Sequence, residues 1–182
     1  MRDQGEKGHP IKSYFATAVH RALTDELDIH ESEVEEYLTD MLVTFLRVDS
    51  VYAVRDREGR AVTSVCEMML EGDVRFHADS FDREREVHRH IGDFLLFWSG
   101  LFPEFLPTLR SPGSKDALLD PIRQGRLSYH VASTFEHAPY GDEARVLRKL
   151  SNDFEAYQHS LGLVRASFEG FRRQGWPDGF SA

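Results

Sequence analysis

The chain has 182 residues, 41% of them hydrophobic and 12% aromatic, enough for one domain that hides about 70% of its unfolded surface without covalent staples. A single cysteine, Cys66, excludes an internal disulfide, and a formal charge of −9 repels a phosphate backbone, so nucleic-acid binding is not expected. The longest near-continuous apolar run, FLLFWSGLF, is far short of a bilayer span, and the charged N-terminal decapeptide has no signal-peptide core. A cytoplasmic protein with no membrane partner is the expectation.

Residues 1 to 10 read as a flexible tail and residues 11 to 182 as a single helical domain. Phe15, Val19 and Leu23, with Ala18 and Ala22, predict an amphipathic helix to about Leu27. Ser32 and Glu35 have capping-box spacing, and Val34, Leu38, Met41, Leu42, Phe45 and Leu46 then recur at helical intervals to about Arg47. The two form an expected antiparallel pair. In VYAVRDREGRAV, β-branched and aromatic runs flank a charged turn containing Gly59, a pattern that admits a small β-hairpin near 51 to 62, although a lone ribbon is marginal in water. Ser64 and Glu67 repeat the capping box and open a helix whose apolar stripe reads Cys66, Met69, Leu70 and Phe76.

Asp79 or Ser80 caps the segment that organises the rest, DREREVHRHIGDFLLFWSGLFPE. With 100° per residue, Val87, Ile91, Phe94, Trp98 and Leu101 share one face, while Leu96 and Phe97 cover the back of the second half. A helix apolar on all sides has to be surrounded. Four of the seven prolines fall in residues 103 to 121, which predicts a broken connector whose Phe105, Leu106, Leu109, Leu118 and Leu119 need burial. Asp120 and Pro121 have N-cap and N1 chemistry, and the helix they open carries a small-residue strip, Gly125, Ser128 and Ala132, bordered by Tyr129.

After APYGD, a seam of Leu147, Leu150, Phe154, Tyr157, Leu161, Val164, Phe168 and Phe171 alternates three- and four-residue steps. One helix from Asp142 to about Arg173 would be about 48 Å long, with Gly162 its weak point. The final residues fray or pack back through Trp176 and Phe180. The fold class is therefore all-α: a single-domain bundle of about six helices with a buried central helix and a long C-terminal one.

Nine histidines invite a metal reading, but His88 and His90 point apart on a helix, and no Glu-x-x-His pair of the di-iron type occurs. No metal site and no cofactor are predicted. The helical period turns Glu84 and His88 inward on the central helix, and Tyr129 and Glu136 inward on the helix after Pro121. These four are the ligand-binding candidates, a polar site at one bundle end. Asp93 sits in an otherwise apolar helix half and needs a partner, for which Arg89 at i−4 predicts a structural ion pair. No nucleophile elbow, P-loop, zinc-protease or dinucleotide motif is present, so catalytic residues are unassigned and the reading leans away from an enzyme.

The segments SFDREREVHRHIGDFLLFWSGLFPE and GRLSYHVASTFEHAPYGDEA resemble ones in a family of all-helical bacterial hypothetical proteins, across about residues 30 to 170. The resemblance implies a helical fold and no activity, substrate or cofactor. The expectation that follows is a soluble bacterial helical protein acting through protein contacts with an unknown partner. The long seam and the small-residue strip offer faces for a homodimer. The alternative is a small-molecule or metal-binding bundle.

Overall fold

The computed structural model describes residues 10 to 174, with side chains through residue 168. The expected N-terminal tail up to residue 9, the seam position Phe171 and the contacts of Trp176 and Phe180 lie outside that description. Among the described residues nine α-helices follow one another: α1 (Pro10–His20), α2 (Ser32–Phe45), α3 (Val48–Val51), α4 (Val65–Glu71), α5 (Phe81–Leu101), α6 (Leu106–Leu109), α7 (Pro121–Ser133), α8 (Gly141–Asn152) and α9 (Phe154–Gln174). A π-helical turn, Arg21–Glu26, extends α1, and a 3-10 turn, Pro103–Phe105, precedes α6. The fold is all-α.

The central position of α5 follows from its composition. Ile91, Phe94, Leu95 and Leu96 are fully buried, and α4, α7 and α9 all pack against it. Ser80 opens the helix by accepting the Arg83 N–H at 3.2 Å. At its C-terminal end Trp98 stacks on Phe105 with ring centroids 4.0 Å apart, so the aromatic end of α5 is covered by the proline-rich connector. Asp120 caps α7 through the Arg123 N–H at 3.1 Å, with Pro121 the first helical residue, as the sequence predicts.

The small-residue strip of α7 is used inside the bundle. A Cβ on Gly125 would lie 2.6 Å from the Phe154 ring, so glycine is what allows α7 to approach α9 closely. Ser128 and Ala132 are fully buried beside it. The seam is likewise internal, with Leu147, Leu150, Phe154, Tyr157, Leu161 and Val164 all in the core.

Several local expectations are corrected. The predicted 48 Å helix is interrupted at Asp153, between α8 and α9. The carbonyls of Ser151 and Asn152 freed by the break accept from the Arg126 guanidinium at 3.2 and 3.4 Å, while the helix continues through Gly162. The Ser32 capping box does not form: Glu31 occupies the N-cap without a side-chain bond, and Glu35 instead accepts from Thr24 at 2.9 Å and faces His20 at 3.1 Å. Ser64 does accept the Glu67 N–H at 3.4 Å, but the Glu67 carboxylate pairs with Lys115.

The buried side of α4 is Val65, Met68 and Glu71, which leaves Leu70 and the more distal Phe76 exposed. Leu46 and Leu118 are also exposed, the latter completely. In place of a β-hairpin there is a single antiparallel bridge between Arg55 and Ala61, closed by Gly59 at φ +79°, and no strand among the described residues. The Arg60 side chain and the Glu58 and Arg60 N–H groups bind Asp56, holding the turn without a ladder.

One tertiary cap fixes the connector to the bundle. Asp116 is 2% exposed and accepts from Ser64 Oγ at 2.9 Å, the Val65 N–H at 2.9 Å and the Cys66 N–H at 2.8 Å. A carboxylate at the first turn of α4 satisfies donors that the helix cannot. Burial, reinforced by the hydrogen bond to Asp116, pushes the Cys66 thiol up to about 11, which keeps it protonated and unreactive. Asp116→Ala is expected to lower unfolding free energy by about 2 kcal/mol in urea denaturation. A change near zero would show that the connector is not held by this cap.

Candidate binding cleft

The polar face of α5 is a ladder of Arg85, Arg89 and Asp93 at four-residue steps, so the three side chains rise along one side. Asp93 is 3% exposed within the apolar half of the helix. An unpaired carboxylate there would be strongly unfavourable, and donors from three elements meet it. Tyr37 of α2 donates to Oδ1 at 2.6 Å, Tyr129 of α7 donates to the same oxygen at 2.8 Å, and Arg89 donates to Oδ2 at 3.2 Å.

Gly92 makes the second of these bonds possible. A Cβ there would lie 2.5 Å from the Tyr129 ring, so the bare backbone lets the ring lie against α5 with its hydroxyl at Asp93. Burial, with the Asp93 charge adding to it, raises both tyrosine hydroxyls well above their ordinary value, so they remain donors at any physiological pH. The Asp93 charge likewise holds the Arg89 guanidinium more firmly protonated than usual.

The ladder continues to α8. Glu143 pairs with Arg85 and lies 3.8 Å from Arg89 Nε. Arg85 is 3% exposed, and its guanidinium carbon sits 3.8 Å from the centre of the Tyr140 ring, within cation–π range. Two arginines and two carboxylates therefore alternate along the junction of α5 and α8.

His90, the next residue after Arg89, completes the lining. Its Nε2 lies 3.0 Å from the Val51 carbonyl oxygen, which can only accept, so Nε2 carries the proton. Burial lowers the ring pKa below the ordinary 6.5, and the neutral imidazole then presents Nδ1 as an acceptor. Nδ1 has no partner among the described residues and is not one of the side-chain atoms sealed from solvent.

These groups form one end of a cleft of about 460 Å³. Its first wall is α2, through Tyr37, Asp40, Met41, Thr44 and Phe45; its second is the turn around α3, through Arg47, Asp49, Ser50 and Ala53. Asp40 is held by Lys12 at 2.6 Å. Exposed Arg47 and Asp49 have no ionic partner among the described residues. A larger hollow of about 580 Å³ lies between α1 and α9, but its charged members, Arg21 and Glu26, are exposed. The smaller cleft is the one with buried, converging polar groups.

The four ligand-binding candidates of the sequence do not assemble: no hydrogen bond or ion pair joins any two of them. Tyr129 belongs to the Asp93 network. Glu136, with a side chain 71% exposed, pairs with Arg148 at 3.0 Å. Glu84 and His88 face the segment after α4. Partial burial and the Asp73 charge raise the Glu84 carboxyl, while burial lowers His88, whose Nδ1 is sealed without a partner. The Arg89 and Asp93 ion pair forms at the expected spacing, as a lining of the cleft. Tyr37 and His90 were missed, and the available signal was Asp93 itself, since a carboxylate amid apolar residues needs donors from neighbouring helices.

Among the described residues, no group of three histidine, cysteine, aspartate or glutamate side chains is placed to hold a metal ion. Comparison of the chain with protein-family models, curated proteins and solved structures gives no match. The site offers a rigid arginine fork, a neutral histidine acceptor and an apolar wall, which is chemistry for recognising a small polar molecule.

Removing Asp93 strands Arg89 and two buried hydroxyls. Asp93→Ala is expected to lower stability by about 3 to 5 kcal/mol in chemical denaturation, whereas Glu136→Gln should stay within about 0.5 kcal/mol of the parent. Equal, small losses in both variants would show that the network is not what joins α2, α5 and α7.

Proposed function

We propose that this chain is a small-molecule-binding helical protein whose site is the cleft bounded by α2, the α3 turn and α5. The observation that carries the reading is the buried Asp93, bonded by Tyr37, Tyr129 and Arg89, at the base of a cavity of about 460 Å³. Such a volume lies within the range of pockets that enclose small ligands. Binding without chemistry is the favoured role, because the lining holds no serine or cysteine paired with a base. A cytoplasmic setting accords with it: Cys66 is free, and no described helix is long and apolar enough to cross a membrane.

Ala53 is exposed on the cleft wall, so a large side chain there fills the cavity without entering the core. Ligand-observed NMR against a library of polar metabolites should find binders whose affinity falls at least about tenfold in Ala53→Trp, at unchanged melting temperature. Absence of any binder, or binders indifferent to the substitution, would remove the cleft as a site.

A second reading, contact with another copy of the chain, draws support from Leu70, Val74, Phe76 and Phe81, all exposed between α4 and the start of α5. The strip, and the seam as far as Val164, are covered within the single chain, so this segment is where it would occur. Sedimentation at micromolar concentration should then give twice the 20.9 kDa of one chain, and Phe76→Ser with Phe81→Ser should restore the monomer. A monomer in the parent at those concentrations would exclude this reading.

A further inference from the structure

Resting on the cleft as a binding site, we propose that its ligand is a free α-amino acid with an apolar side chain, bound as the zwitterion. Lys12 pairs with Asp40, Arg85 with Glu143, and Arg89 with Asp93. What remains is one cation and one anion, Arg47 and Asp49, both exposed at the mouth. The lining itself carries four carboxylates and two guanidinium groups, and its charges balance only with the paired Lys12 and Arg85 that stand just outside it. A purely cationic or purely anionic guest finds no excess of counter-charge there, whereas a molecule carrying both signs finds a partner for each.

The inner end sorts the two signs by hydrogen-bond direction. Arg89 is about one-third exposed in its side chain, and beyond its bond to Asp93 and the Glu143 carboxylate 3.8 Å from its Nε its fork keeps further N–H groups, which suits a carboxylate. His90, adjacent in sequence, is anchored through Nε2 and offers only an acceptor at Nδ1, which suits an ammonium. An α-amino acid carries both of these groups, and Arg89 and His90 both line the cleft. Met41, Phe45 and Ala53 supply an apolar wall for the remaining substituent, and Arg47 and Asp49 add a field of both signs at the entrance.

The test is a matched series measured by calorimetry and ligand-observed NMR on the full chain: L-leucine, L-methionine and L-phenylalanine, the methyl ester of each, and the corresponding acids lacking the amine. The amino acids are expected to bind at least about tenfold more tightly than either derivative. His90→Phe, which retains a ring against Phe45 and Phe94, should remove that preference over the amine-free acids. Asp49→Asn, an exposed change that does not threaten folding, should weaken the amino acids and leave the amine-free acids unaffected.

Esters or amine-free acids binding as well as the amino acids would overturn the zwitterion. Failure of all three amino acids, while other metabolites bind and are lost in Ala53→Trp, would overturn the ligand class and leave the cleft standing. Amino acids that bind Ala53→Trp as tightly as the parent would overturn both.

Discussion

A single carboxylate sets the geometry of this bundle. Asp93 lies where the central helix is otherwise apolar, and an ionised group in such a place is tolerated only when its charge and lone pairs are met. The donors come from α2, α7 and α5 itself, so the bonds constrain three helices at once. A tyrosine hydroxyl is a fixed distance from its Cα, and two of them converging on Oδ1 define how far α2 and α7 stand from α5. Apolar side chains could pack in several registers with similar energy, whereas a buried carboxylate accepts only the register that brings its donors. The contribution is to specificity of arrangement more than to net stability, since well-packed apolar residues in place of a buried ionic cluster are often no less stable.

Gly92 and Asp93 have to be considered together. The glycine admits the Tyr129 ring to the surface of α5, and the carboxylate gives its hydroxyl somewhere to end. Either residue without the other would leave a clash or an unpaired polar group. Glycine inside a helix costs about 1 kcal/mol relative to alanine, a local cost offset by the tertiary contact it permits. Gly125 follows the same logic one layer away, where the Phe154 ring occupies the space of its missing Cβ.

What the sequence revealed and what it hid divide along a physical line. The all-round apolar half of α5, the Asp120 and Pro121 start of α7 and the Arg89 to Asp93 spacing were legible because each depends on one element alone. The quartet of Glu84, His88, Tyr129 and Glu136 was not recoverable, because helical arithmetic assigns faces, and which faces meet depends on crossing angles and offsets absent from the pattern. Tyr129 was placed inward correctly but given the wrong neighbours. Glu35 fits a capping box by spacing, yet Thr24 and His20 on the preceding turn compete for it and win. The break at Asp153 was concealed because the apolar period runs through it; the clue was the Ser-Asn-Asp run, whose side chains compete with helical backbone bonds, and its acceptance depends on Arg126 from another helix.

The cleft joins two kinds of structure. Its base is α5 and the ladder of ions that runs to α8, in which every charged side chain has a counterpart and little motion is available without breaking a buried contact. Its outer wall is the four-residue α3 with its flanking residues, where Arg47, Asp49 and Ala53 are exposed. A buried base with an exposed rim separates orientation from access: groups that must be placed accurately sit on the long helix, and those that a guest passes on entering sit at the surface. His90 connects the two parts, because the bond from its Nε2 to the Val51 carbonyl ties the rim to the base. That same bond directs Nδ1 to act as acceptor, so the contact holding the wall in place also determines what the interior can recognise.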